Sequence, residues 1–185
     1  MDGWSLPEEA LVGGKTYHLH TDYRDILEIF SYLQDDSLPE FLRWQIALAL
    51  FYEGDIPEED FQEAAEYLRW FVCCGREEEK HPGPQLLSWE QDAQDIVADV
   101  NKVAGQEIRR LPYLHWWTFL SYFHALGEGQ LSTLISIRTK LQTGKKLEPW
   151  EQDYYRKNRH LVDLRPRYTP EEMAQQLKLN QLLDP

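Results

Sequence analysis

From residue 21 onward, apolar side chains recur every three or four positions, and that period makes the amphipathic helix the repeating unit of the fold. Thr21 or Asp22 caps a first helix, with Tyr23, Ile26, Leu27, Phe30 and Leu33 as its stripe. Ser37-Leu38-Pro39-Glu40 is a capping box with proline inside the first turn. The helix it opens runs through Tyr52 and is apolar almost all round: Trp44, Ile46, Ala47, Leu48, Ala49, Leu50 and Phe51. A helix without a polar face belongs at the centre of a core. Gly54 stops it, and Asp55-Ile56-Pro57-Glu58 starts the next, whose stripe of Phe61, Ala64, Ala65, Leu68, Phe71 and Val72 ends before Gly75. Ser88-Trp89-Glu90-Gln91 is a second capping box, followed by Ala93, Ile96, Val97, Val100 and Val103 on an inward face that ends at Gly105.

Pro112 to Leu126 is dense in aromatic residues, and stripes at 116/119/120/123 and 113/117/121/124 imply burial on two sides. Leu131, Leu134, Ile135 and Leu141 mark a helix ending near Gly144; another runs from Pro149 through Trp150 and Tyr154 towards Leu161. Thr169-Pro170-Glu171-Glu172 opens a last, weakly amphipathic helix with Met173 and Leu177, and then a weakly held tail to residue 185. The opening of the chain differs. Two short alternating runs, Glu9–Val12 and Lys15–Leu19, flank Gly13-Gly14, because a tight hairpin needs positive φ at its centre. Residues 76–87, rich in glutamate and carrying Pro82-Gly83-Pro84, read as a mobile connection. The expected fold is therefore mainly α: one multi-helix domain over residues 1–185, with about seven or eight helices and a hairpin at 9–20. Its core rests on segments 38–52, 61–72, 89–103 and 113–126.

The charge narrows the function. In 185 residues, 32 acidic side chains outnumber 19 basic ones, a net of −13. Binding to nucleic-acid phosphates needs surplus cations, so a general nucleic-acid partner is disfavoured. Residues 1–100 carry six basic and twenty-three acidic groups (−17), whereas 101–185 carry thirteen and nine (+4). Either the two halves attract each other within one fold, or two faces of opposite sign guide assembly with copies or partners. Cys73 and Cys74 are adjacent, which gives no disulfide framework. The N-terminal residues lack the basic-then-apolar pattern of a signal peptide, and no apolar run reaches the ~18 residues of a membrane helix. The expectation is a soluble intracellular protein with no membrane partner.

Chemistry leaves little trace. His18-x-His20 offers two ligands where zinc needs three or four converging, so no metal is assigned. His115 and His124 lie among aromatics, as core histidines do. Asp92, Asp95 and Asp99 fall at i, i+3 and i+7 along one helix edge. They would suit acid–base work only in a dry cleft, and a solvated acidic face is the expected reading. With no phosphate loop, no nucleophile elbow and no metalloprotease motif, the chain reads as non-enzymatic, without catalytic residues or cofactor. The basic stretch 138–167 is the candidate partner-binding surface, through Arg138, Lys145, Lys146, Arg156 and Arg159, unless it faces the acidic half.

Three strings stand out together: Trp89-Glu90-Gln91-Asp92 with Ile96-Val97-Ala98, Leu114-His115-Trp116-Trp117-Thr118-Phe119, and Ile135-Ser136-Ile137-Arg138, with Thr21-Asp22-Tyr23-Arg24 before them. In this order, over roughly residues 10–165, the chain resembles the bacteriophage gene-product-fifteen family of tailed phages and prophages of Gram-positive bacteria. The resemblance implies phage tail morphogenesis in the host cytoplasm. Family genes usually lie between those for the major tail protein and the tape-measure protein, the slot of tail assembly chaperones. Such chaperones coat the tape-measure protein until tail-tube subunits replace them. The implied partner is thus the tape-measure protein or another tail protein; a structural part of the tail or head–tail junction, carried in the virion, is the alternative. The family brings no catalytic residues, and Asp92, His115, Trp116, Trp117 and Phe119 are read as core.

Overall fold

Positive backbone angles at Gly13 (φ 54°) and Gly14 (φ 76°) turn strand β1 (Glu9–Val12) back on β2 (Lys15–His18), with Val12 opposite Lys15 and Ala10 opposite Tyr17. The structure, a computed structural model, describes residues 4–76 and 83–165. The contacts group the chain into two compact units that divide after Arg76. The C-terminal helix and tail expected at 169–185, and most of the charged part of the 76–87 connection, lie outside the described residues.

In the first unit the hairpin does not stand alone. Ala10, Val12 and Tyr17 are buried on one face while Leu11 is exposed, the two-residue alternation of a half-covered sheet. The chain leaving β2 pairs with the end of α2 (Glu40–Phe51): the His20 amide donates to the Phe51 carbonyl at 2.8 Å and the Glu53 amide to the His18 carbonyl at 2.9 Å. Helix α1 (Tyr23–Leu33) is capped by Asp22, whose carboxylate accepts the Arg24 amide at 2.9 Å and also grips the Arg24 guanidinium with both oxygens. Tyr23, Ile26 and Ile29 are its buried residues. A single 3-10 turn (Glu58–Asp60) leads into α3 (Phe61–Val72), which buries Ala64, Leu68 and Phe71; the Phe71 ring lies 4.9 Å from Phe51. The Tyr52 hydroxyl, raised well above its ordinary pKa by burial, donates to the Ala64 carbonyl at 3.0 Å and ties α3 to the end of α2.

Helix α2 departs from expectation twice. The Ser37 box does not open it; Asp35 accepts the Ser37 amide in a turn of its own, and the helix begins at Glu40. Nor is it covered all round. Ala47, Leu48 and Phe51 are buried, but Phe41 is 56% and Leu42 39% exposed, so one apolar face lies open.

The second unit holds α4 (Ala93–Ala104), α5 (Trp116–His124), α6 (Gln130–Gln142), α7 (Pro149–Lys157) and α8 (Arg159–Val162), with a 3-10 turn at Ile108–Arg110. The eight α-helices among the described residues and the hairpin give the mainly α fold that the periodicity implies. Gly105 (φ 69°) closes α4 in the left-handed conformation. The single helix expected over 149–161 is two, because Asn158 leaves helical geometry and its side chain caps the Tyr154 carbonyl at 3.0 Å. Leu134, Ile137, Leu147 and Val162 form one buried cluster, flanked by Tyr154, Tyr155 and Leu161. Around α5 the 116/119/120 stripe is buried, but Tyr113, Ser121 and His124 are exposed, so α5 is covered on one side and not two.

Candidate functional site

The strings that mark the sequence converge in the second unit. Ser88 shapes the approach to α4: its hydroxyl oxygen accepts the Gln91 amide at 3.1 Å while its own amide donates to Asp92 at 2.9 Å. The reciprocal half of the capping box is thus supplied by Asp92. That fixes the Asp92 carboxylate against Arg138 of α6 in a two-oxygen, two-nitrogen pair at 2.7 and 2.8 Å. The side chains are 2% and 3% exposed. The other guanidinium N–H groups donate to the carbonyls of Leu86, Leu161 and Val162 at 2.7–2.9 Å, so all five donors of Arg138 are used.

Gln91 completes the knot. Its amide nitrogen donates to the Asp163 carbonyl at 2.9 Å, and its oxygen accepts the Arg165 amide at 2.9 Å, holding the chain that leaves α8. Trp89 turns the other way, into an aromatic cluster with Trp116 (5.9 Å, edge-on), Phe119 (6.2 Å) and Phe123 (5.2 Å). His115 caps α5, its Nδ1 accepting the Trp117 amide at 3.0 Å. Trp116, Phe119, His115 and Asp92 are buried, whereas Trp117 is half-buried.

The acidic edge of α4 is not a solvated face. Asp99, 5% exposed, accepts the Leu131 amide at 3.2 Å and so caps α6 from a neighbouring helix, with Lys102 beside it. Gly129 makes room for that carboxylate: a Cβ there would lie 2.5 Å from an Asp99 oxygen. Between them Asp95 has its pKa raised, first by burial and then by Asp92 and Asp99. Asp92 and Asp99 therefore clamp α4 and its cap onto α6. Burial likewise pushes the Cys74 thiol up to about 11, away from a reactive thiolate.

The expected partner-binding residues scatter. Arg138 is corrected outright: it sits inside the unit with every donor engaged, because its place on the apolar stripe of Leu131 and Leu134 carries it inward. Arg156 pairs with Asp153 and Arg159 with Asp163, exposed ion pairs one turn apart. Lys145 and Lys146 are exposed and make no ion pair among the described residues. Lys140, with the buried Glu151, lowers that carboxyl's pKa. Among the described residues the acidity lies in the first stretch. Residues 4–76 hold five basic and fifteen acidic side chains (−10), and 83–165 hold eleven and ten (+1).

One surface escaped the sequence reading. Along the open side of α2, two neighbouring hollows of about 420 and 350 Å³ share Leu48 and Phe61 in their walls. Phe41, Trp44 and Ala65 line the larger. An all-round apolar helix was the available signal; it marked α2 as central when it is only partly covered. Among the described residues no group of three His, Cys, Asp or Glu stands close enough to hold a metal, and no helix is long and apolar enough to cross a membrane.

The shared strings thus hold an interior together, as a family's signature residues commonly do when the fold is what is kept. Neither the curated proteins nor the solved structures compared with the chain give a match. The family model described as Bacteriophage Gp15 protein matches residues 5–164, most of the chain and all three strings, and the protein belongs to that family.

Proposed function

We propose that this protein is a non-enzymatic tail morphogenesis protein, a tail assembly chaperone that binds the tape-measure protein before the tube forms around it. Membership of the bacteriophage Gp15 family supports a phage structural or morphogenesis role. The observation that carries the finer reading is the open apolar face of α2 within a stretch, residues 4–76, of net charge −10. A chaperone for a long amphipathic polymer needs an apolar surface to cover the client's stripe and enough charge to keep the complex soluble. Two of the three α4 carboxylates, Asp92 and Asp99, are engaged with Arg138, the Leu131 amide and Lys102, which favours a binding role over a catalytic one.

Co-expression with the tape-measure protein of the same phage tests this. The client is expected in the soluble fraction, and a tag on this protein retains it. A client equally soluble without this protein, and not retained by it, would overturn the proposal.

A further inference from the structure

The two hollows along α2 adjoin. Phe41, Trp44, Leu48 and Tyr52 succeed one another on the same side of the helix and its cap, and the two hollows meet at Leu48 and Phe61. From Phe41 to Tyr52 the groove spans eleven residues, about 16 Å at the helical rise, which matches about three turns of a visiting helix. Its lining is aromatic: Phe41 and Phe61 stack at 6.1 Å, and Phe41 is more than half exposed. With Phe41 exposed at the rim and Leu48 and Tyr52 buried at the base, this is apolar surface set in a hollow, the kind that marks a contact site.

The charges around it have one sign to spare. Glu40 stands at one end and Asp55 at the other, and Glu58 and Glu59 lie exposed on the turn that leads into Phe61. Against these four carboxylates stand two nearby cations: Arg69, in the wall of the larger hollow and over the Trp44 ring at 4.5 Å, and Arg43, which donates to Asp36 at 3.0 Å. An acidic helix would meet like charge at both ends; a basic one would be matched.

We propose that the groove along α2 and α3 receives a single amphipathic helix of about three turns, its apolar stripe flanked by lysine and arginine. That this helix belongs to a tape-measure protein rests on the chaperone reading; the chemistry of the groove does not. Leucine-sized residues at i, i+3/i+4 and i+7 enter beside Phe41, Trp44 and Phe61, and the basic flanks reach Glu40, Asp55 and Glu58.

The test uses the full chain and a fluorescently labelled peptide of about fifteen residues, with leucine at i, i+3, i+4 and i+7 and lysine elsewhere, followed by anisotropy. The peptide is expected to bind, and a scrambled peptide of the same composition, or one with glutamate in place of lysine, to bind at least about tenfold more weakly. Phe41→Asp is decisive because it adds a negative charge. Diffuse attraction to an acidic protein would tighten, whereas docking in the groove weakens by about tenfold or more. Ala49→Arg, which narrows the groove and opposes a cation, should weaken binding likewise; circular dichroism confirms that both variants stay folded. Undiminished binding by folded Phe41→Asp, equal binding of the scrambled peptide, or a dimer of the protein that Phe41→Asp dissociates would each overturn the inference. If Phe41→Asp abolishes peptide binding while the wild-type protein retains no tape-measure protein, the groove stands and the chaperone reading falls. If the tape-measure protein is retained undiminished by Phe41→Asp, the reverse holds.

Discussion

Arg138→Ala should destabilise the second unit by about 3–5 kcal/mol, the cost of leaving one member of a buried ion pair without its partner. The loss exceeds that of an ordinary core truncation in kind. Asp92 keeps a charge inside the unit, and the carbonyls of Leu86, Leu161 and Val162 lose their donor together. Because the chain forms two compact units, one melting curve need not report one transition. The loss is best read as amide-exchange protection in α4 and α6. Replacing both partners by apolar residues, Asp92→Leu with Arg138→Met, should recover part of it, since no charge then lies unpaired. Protection within about 1 kcal/mol of the parent in Arg138→Ala would show that the pair is not the tie described here.

Trp116→Ala should cost about 3–5 kcal/mol, and Trp117→Ala only about 1 kcal/mol. From the sequence the two adjacent tryptophans look equivalent. In the fold they point apart: Trp116 is 1% exposed, stacked on Phe119 at 5.5 Å and edge-on to Trp89, whereas Trp117 is half-buried. Removing the first ring opens a cavity where four aromatic residues meet, and the neighbours cannot collapse into it without moving α5. Chemical denaturation of the two variants distinguishes them. Equal losses would mean that both rings are interior; no loss for Trp116→Ala would make the cluster dispensable.

What the sequence disclosed, it disclosed through local rules. Gly13-Gly14 between alternating runs defines the hairpin, since few other pairs accept two positive φ angles. The helical period locates most helices, and glycines at 75, 105 and 144 mark where they end. The most consequential failures are long-range. Asp92 and Arg138 are 46 residues apart, so nothing local couples them; the trace they leave is a charged residue on an otherwise apolar stripe, Asp92 with Ile96 and Val100, Arg138 with Leu131 and Leu134. Similarly, an all-apolar helix indicates that burial is favourable but not that every face is covered by the described residues. On α2 that difference is the groove itself.

The most direct test of the account places a photo-cross-linking benzoylphenylalanine at position 41, or at Trp150 as the control, in cells that also make the tape-measure protein. Trp150 is a fair control because it is equally exposed, at 58%, and lies beside the basic stretch. Irradiation should join the tape-measure protein to position 41 through a lysine- or arginine-flanked amphipathic helix, and leave position 150 unjoined. Cross-links from position 150 with none from position 41 would contradict the account, returning the client to the basic surface and leaving the α2 groove without a role.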